Sequence, residues 1–156
     1  MNVTLTHELR IKRTFDAPRQ LLWKAWTEQS ILVQWISPKD FVTLFFDIDF
    51  RVGGAWRSSM QSGDGQTFTM HGIYLEIVEP SLLVFTHGWQ DNTEHGHEFD
   101  YHTTVSIDLE EHDGQTTMTF LQRGFMTTDG RDGHNGGWNG ALDKLVALVD
   151  SDGSIE

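Results

Sequence analysis

The chain has 156 residues, no cysteine and a net charge of −12. Its length fits a single domain, the lack of cysteine excludes disulfides and thiolate metal sites, and the acidic excess argues against nucleic acid and anionic membranes as partners. No apolar run approaches the roughly 18 residues of a membrane span, and the N-terminal segment alternates in character rather than forming a secretory signal. We therefore expect one cytoplasmic domain over residues 1–156, with an ordered core at about 5–150.

The first third of the chain predicts one strand followed by two short helices. Apolar residues alternate between Val3 and Phe15, as in a strand with one buried face. Asp16 is expected to cap the next helix and Pro18 to occupy its first turn, while residues 21–26 supply its apolar face. A second short helix is predicted from Glu28 to Trp35.

Six further strands are predicted in the middle of the chain, separated by turn residues such as Gly53-Gly54 and Ser62-Gly63-Asp64-Gly65. Their expected ranges are 42–50, 55–60, 68–78, 82–89, 99–110 and 116–123. The segment from Phe99 to Glu110 alternates apolar and polar residues most regularly. Such a strand has one wet face, which indicates antiparallel pairing.

The last part of the chain predicts a loop and then a helix. The glycine-rich segment Gly130 to Gly137 is expected to be a flexible connection. After it, Trp138, Leu142 and Leu145 recur at helical spacing, and the dry face of the sheet is the only large apolar surface that can support them. The order of elements is not a βαβ alternation, so we expect an α+β domain whose antiparallel sheet grips the final helix.

Six short sequence blocks, in this order and at this spacing, indicate a protein family more specifically than any one block does alone. They are Asp16-Ala17-Pro18-Arg19 with residues 22–27, Trp35 with Pro38, residues 51–56, residues 70–77, Glu79-Pro80 with residues 83–86, and His134 with Gly137-Trp138. This series resembles the START-like (SRPBCC) superfamily, and it is most similar to the branch of homologues of the activator of heat shock protein 90 ATPase.

The resemblance implies the helix-grip (START/Bet v-like) fold. In that fold a curved seven-stranded antiparallel sheet surrounds a long C-terminal helix, and two short helices follow the first strand. The resemblance also implies a cavity between sheet and helix, which in relatives can hold hydrophobic molecules. It does not imply one particular reaction.

The aromatic side chains of the middle strands and the last helix predict a ring-lined pocket with a few polar groups. A tightly packed core is the alternative interpretation of the same residues. The predicted ligand-binding residues are Trp56, Met70, Tyr74, Phe85, His87, Phe99, Tyr101, Phe120, His134 and Trp138.

Other chemistry has weaker support. His95 and His97 have the spacing of a metal-binding pair, but the polar, glycine-containing segment Asp91 to Glu98 favours a solvent-facing loop, so neither a metal nor a cofactor is expected. Glu76 lies in an otherwise apolar strand and is the best carboxylate candidate for proton transfer. The glycine-rich segment lacks the lysine and spacing of a phosphate loop, and no hydrolase triad is visible.

The leading prediction is therefore the binding of a small hydrophobic or aromatic molecule in an internal cavity, with no catalytic residue assigned. One alternative is a chaperone-assisting or stress-related interaction domain, with a protein partner or as a homodimer. A large exposed apolar patch outside the pocket would favour it. The other alternative is an enzyme of cyclase, dehydratase or hydrolase type, which a histidine or Glu76 buried against the cavity would favour.

Overall fold

The computed structural model describes residues 7–89 and 102–150. Its elements in chain order are β1 (His7–Phe15), α1 (Arg19–Thr27), α2 (Gln29–Trp35), β2 (Val42–Ile48), β3 (Ala55–Gln61), β4 (Thr67–Val78), β5 (Leu82–Trp89), β6 (His102–His112), β7 (Gln115–Phe125) and α3 (Thr128–Asp150). The helix-grip prediction is confirmed, because seven antiparallel strands, two short helices after the first strand and a long C-terminal helix are all present. None of the described helices is long and apolar enough to cross a membrane.

The seven strands form one sheet in the order β1-β7-β6-β5-β4-β3-β2. The first strand therefore pairs with the last, and the remaining strands follow as a meander. The register aligns Ile11 of β1, Phe120 of β7 and Ile107 of β6 across the sheet, and all three are buried. Because side chains alternate along a strand, this row and its neighbours make one face of the sheet the apolar support for the helices.

Two short helices cover part of that face. The α1 helix buries Leu22, Trp23, Ala25 and Trp26, and the indole of Trp35 in α2 donates a hydrogen bond to the carbonyl of Ala25 at 3.0 Å. This bond fixes the two helices against each other, since a buried indole N–H requires an acceptor.

The start of α1 differs from the sequence prediction. Pro18 is the N-cap residue with an extended backbone, and no side chain caps the helix. Asp16 lies two residues before the cap, which is too early for its carboxylate to act as the N-cap oxygen. Instead, the backbone N–H of Arg19 donates to the carboxylate of Glu111 in β6 at 2.9 Å. A neighbouring strand thus supplies the acceptor that Asp16 was expected to provide.

The long helix α3 begins at Thr128, so the glycine-rich segment 130–137 lies inside the helix, and the prediction of a loop there was wrong. Thr127 caps the first turn, because its hydroxyl accepts the backbone N–H of Gly130 at 2.9 Å. Close packing explains a later glycine in the same helix. A Cβ at Gly140 would lie 2.8 Å from the backbone nitrogen of Lys39, so a side chain would push α3 away from the loop after α2.

The glycines of α3 give a first testable prediction. Gly136 has open space around its missing Cβ, whereas Gly140 faces the backbone of Lys39. We expect Gly136→Ala to raise the free energy of unfolding by about 0.5–1 kcal/mol, because alanine favours a helix over glycine. Gly140→Ala should lower the free energy of unfolding, although alanine has the same advantage in helix propensity there. Urea denaturation of the two variants measures both effects, and a null effect of Gly136→Ala would show that this segment is not helical.

Candidate functional site

A cavity of about 670 Å³ lies between the sheet, the two short helices and the first half of α3. Its volume falls within the range of small-molecule sites, roughly 300–1,000 Å³. The described residues that line it are Trp26, Leu32, Ile36, Pro38, Phe41, Phe46, Trp56, Met60, Phe68, Met70, Tyr74, Phe85, His87, Trp89, Met126, Thr127, Asp129, Gly130, Gly133, His134, Gly137 and Trp138.

Most of the residues predicted to bind a ligand surround this cavity. The ones that line it are Trp56, Met70, Tyr74, Phe85, His87, His134 and Trp138. Phe99 and Tyr101 lie outside the described residues. Phe120 is not part of the wall, because it is fully buried behind Trp138, with the two ring centroids 4.7 Å apart. The position of the other residues is geometric, and their role in binding stays a prediction.

Sequence analysis missed the wall that the two short helices contribute. Trp26 of α1 reaches over the sheet and comes within 6.5 Å of Phe85 and 6.0 Å of Trp138, measured between ring centroids. Its indole N–H is buried and has no acceptor within the described part of the chain, although buried polar groups are normally paired. The apolar face of α1 was visible in the sequence. It could have indicated this wall, since that face also had to cover the dry side of the sheet.

A glycine positions the aromatic wall on the strand side. The indole of Trp56 crosses β4 and donates to the carbonyl of Thr86 in β5 at 3.1 Å. It passes over Gly72, where a Cβ would overlap both the Thr86 carbonyl oxygen and the Trp56 nitrogen. The ring then stacks on Phe46, with centroids 5.4 Å apart. Trp56 is therefore held from both sides, which keeps this wall in place without a ligand.

A buried chain of hydrogen bonds fixes Trp138 at the other side of the cavity. The Trp138 indole donates to the Gln122 side-chain carbonyl at 2.8 Å, and the Gln122 amide donates to the Thr103 hydroxyl at 2.8 Å. That hydroxyl in turn donates to the backbone carbonyl of His87 at 3.2 Å. These hydrogen bonds therefore join α3 to β7, β6 and β5. Sequence analysis missed it, although Gln122 is a polar residue at an inward position of β7, between Phe120 and Gly124.

The two ring nitrogens of His134 have different hydrogen-bond partners. Nδ1 lies 2.7 Å from the backbone carbonyl of Gly130, and Nε2 lies 3.2 Å from the indole nitrogen of Trp89. A carbonyl only accepts and an indole N–H only donates, so Nδ1 carries the proton and Nε2 accepts. These bonds tie the first turns of α3 to the end of β5.

His87 is the most deeply buried polar group of the wall. Its ring lies 5.8 Å from those of Trp56 and His134. Burial, which is the largest cause, and the nearby His134 and His71 together lower the pKa of His87 to about 3. The imidazole is therefore uncharged near neutral pH. It supplies a hydrogen-bonding group in an apolar wall rather than a positive charge.

The remaining candidates of the sequence do not meet at this cavity. Glu76 is exposed on β4, just after a register shift that follows Tyr74, and it is not among the residues that line the cavity. Burial raises the pKa of Tyr74 itself, which keeps its hydroxyl protonated. His95 and His97 lie outside the described residues. Residues 7–89 and 102–150 contain no group of three or more potential metal ligands.

Fold and cavity together define a START-like helix-grip protein. The sequence profile of activator of Hsp90 ATPase homolog 1-like proteins (AHSA1) matches residues 16–150, and the chain belongs to this family. The resemblance that the sequence blocks indicated is thereby confirmed. A comparison with curated proteins found no match.

Solved structures of similar proteins share the fold over nearly the whole chain. A protein from Chromobacterium violaceum has a TM-score of 0.82 at 26% identity, covering 93% of this chain and 98% of that one. The AHSA1 protein of Silicibacter pomeroyi has a TM-score of 0.79 at 27% identity, covering 92% and 97%. An AHSA1-like protein from Aeromonas hydrophila has a TM-score of 0.77 at 21% identity, covering 96% of both chains, which supports the fold alone.

The buried hydrogen-bond chain predicts coupling between two substitutions. Gln122→Leu removes the acceptor of the buried Trp138 indole, and we expect it to lower the free energy of unfolding by about 2–3 kcal/mol. In a Trp138→Phe background the loss should be about 1–2 kcal/mol smaller, because phenylalanine has no N–H to leave unpaired. Urea denaturation of the four proteins measures the coupling. Additive losses would argue that the bond carries no energy.

Burial of neutral His87 makes stability depend on pH. Its pKa is lowered to about 3 in the folded protein, against about 6.5 in the unfolded chain. Between these values the unfolded chain binds the proton and the folded protein does not, so stability decreases as the pH falls from about 6.5 toward 3.

Lowering the pH from about 7.5 to about 4.5 should reduce the free energy of unfolding of both proteins. We expect this reduction to be about 2 kcal/mol smaller in His87→Gln than in the unsubstituted protein. Urea denaturation of both proteins at the two pH values measures the difference. The other histidines are the same in both proteins, so the difference reports on His87. The same loss in both would mean that His87 protonates without cost in the folded protein.

Proposed function

We propose that the protein binds a small, largely apolar aromatic molecule in the cavity between the sheet and α3. The observation that carries this proposal is a 670 Å³ space lined mainly by aromatic and aliphatic side chains. Its few polar groups, such as His87 and the Tyr74 hydroxyl, belong to an otherwise apolar wall. Such a composition is typical of small-molecule sites, where apolar surface supplies affinity and a few polar groups supply orientation.

The energy available to such a ligand is sufficient for binding. Removing about 600 Å² of ligand and wall surface from water contributes about 15 kcal/mol before entropy costs, whereas micromolar binding requires a net gain of about 8 kcal/mol. The walls also need little rearrangement, because Trp56 and Trp138 are already held by hydrogen bonds to the Thr86 carbonyl and to Gln122. A preorganised site loses less affinity to ordering. Micromolar binding of a two- or three-ring molecule is the expected result.

The glycines at the start of α3 offer the ligand a way in. Gly133 lines the cavity and is exposed to solvent at the same time. A Cβ at this position would meet no atom within 4 Å. Met126, which also lines the cavity, is exposed as well. We therefore place the mouth of the site between Met126 and Gly133.

Catalysis in the same cavity is the weaker alternative. His87 is buried against the cavity, as an enzyme would require, but a lowered pKa makes it a poor proton acceptor at neutral pH. Glu76, the carboxylate candidate, is exposed on β4. The observations therefore support a binding role for the histidine more than a proton-transfer role.

Assistance to a chaperone is the other alternative, and the family name is its main support. Several apolar side chains outside the cavity are exposed, including Val52, Ile73 and Leu75. They are apolar surface of the kind a protein partner covers. Their charge and arrangement do not specify a partner, so ligand binding remains the proposal that the geometry supports best.

The proposal is tested with N-phenyl-1-naphthylamine, an uncharged probe whose fluorescence rises in apolar surroundings. The purified protein should bind it with micromolar affinity and with quenching of tryptophan fluorescence. Gly133→Trp should weaken binding at least about tenfold, because the new ring fills the mouth of the cavity. Titration of probe fluorescence gives both affinities.

Gly136→Trp is the matched control. Gly136 lies in the same helix, has equally open space at its Cβ and is not among the residues that line the cavity. Its affinity should stay within about twofold of the unsubstituted protein. Equal affinities in both variants would place the probe outside the cavity. A protein that does not bind the probe at all would refute the proposed function and favour the chaperone-assisting alternative.

A further inference from the structure

The cavity is lined without a lysine or an arginine. The chain has 11 such residues, and all of them lie between Arg10 and Lys144, within the two ranges that the structure describes. None is among the residues that line the cavity. The observation therefore covers every permanently positive side chain of the protein. Among the described residues of the lining, the only charged side chain is the carboxylate of Asp129.

Three basic side chains on or near the elements around the cavity have partners elsewhere. The ammonium group of Lys144 donates to the carbonyl of Phe41 at 2.9 Å and to the Ser37 hydroxyl at 3.2 Å. Arg13 pairs with Asp143 at 2.9 Å, on the side of α3 that faces β1. Arg131, near the mouth in sequence, pairs with its neighbour Asp132 at 3.0 Å. Reaching a ligand would require each of these groups to give up a partner.

The two histidines among the described lining residues do not replace the missing cations. His134 uses Nδ1–H toward the Gly130 carbonyl and Nε2 toward the Trp89 indole, so adding a proton would set two donors against each other. Burial keeps His87 uncharged at neutral pH. These rings and the Trp26 indole offer neutral hydrogen bonds only. Neutral donors can satisfy a carbonyl oxygen, but they do not compensate a buried negative charge.

The N-terminus of α3 is a further source of positive potential near the mouth. A helix N-terminus attracts anions through its free N–H groups. Here the Thr127 hydroxyl already accepts the Gly130 N–H, and the carboxylate of Asp129 lies in the first turn. The net charge of −12 adds a repulsive field outside the cavity.

We propose that the cavity selects uncharged aromatic molecules and excludes those with a carboxylate, sulfonate or phosphate on the part that enters. This inference rests on the proposed function and specifies the ligand class of the same site. Its physical basis is desolvation, because an anion that leaves water without a counter-charge loses far more energy than neutral hydrogen bonds return. The aromatic walls accept an uncharged ring system without that penalty.

The test uses two ligands of the same shape that differ by one charge, 2-naphthamide and 2-naphthoate. Each competes with N-phenyl-1-naphthylamine for the full-length protein at about pH 7.5, where the acid is ionised. We expect the amide to displace the probe and the carboxylate to bind at least about 30-fold more weakly. Isothermal titration calorimetry with each compound confirms the ratio directly.

A variant with a cation at the mouth tests the cause of the preference. Met126 is exposed and lines the cavity, so Met126→Lys adds a flexible positive charge at little risk to folding. We expect it to reduce the ratio of amide to carboxylate affinity about tenfold. Met126→Gln, which is polar but uncharged, should keep the original ratio.

The outcomes separate the two proposals. Equal affinities for amide and carboxylate, or failure of the amide to displace a bound probe, would overturn the inference and leave ligand binding standing. An unchanged ratio in Met126→Lys would overturn it as well, because the missing cation would not be the cause. Absence of probe binding to the unsubstituted protein would refute the proposed function and this inference together.

Discussion

The cavity depends on one buried chain of hydrogen bonds, which runs from Trp138 through Gln122 and Thr103 to the backbone of His87. An apolar helix on an apolar sheet has many packings of similar energy, because hydrophobic contact is not directional. A helix that must pair a buried indole N–H has few such packings, because each alternative leaves the N–H without an acceptor. This chain of hydrogen bonds therefore sets the position of α3 along the sheet. It also sets the orientation of the Trp138 ring, against which Trp26 and Phe120 pack.

Space remains beneath the first half of α3 because that half carries glycines where a packed helix would carry large side chains. Gly130, Gly133 and Gly137 all border the cavity and contribute no atoms to fill it. Further along, Gly140 lets the helix lie close to Lys39, so the helix is supported at the loop after α2. Glycine lowers helix stability, and the Thr127 cap and the His134 bonds to Gly130 and Trp89 offset part of that loss.

The sequence could predict the elements of the fold because their signals are local. Alternation gave the strands, and the spacing of Trp138, Leu142 and Leu145 gave the buried face of the last helix. The glycine-rich segment was predicted as a loop because propensity is a local measure, whereas the cap and side-chain bonds that form this helix depend on neighbours. Phe120 was assigned to the cavity because period-two alternation predicts only which face of the sheet a side chain lies on. It does not predict which side chains pack over that face. The role of Gln122 could not be predicted, because it depends on the partner Trp138, which lies on a different element.

The relatives show why the ligand must be argued from the site. Proteins at 21–27% identity keep the fold with TM-scores of 0.77–0.82, so most side chains can change while the architecture stays. A helix-grip fold thus fixes where a cavity lies, and the residues of each chain decide what the cavity accepts. In this chain the wall contains no lysine or arginine, its buried His87 is neutral, and Lys144 and Arg13 bind partners elsewhere. The ligand chemistry that we propose therefore follows from these side chains and not from the fold that the chain shares.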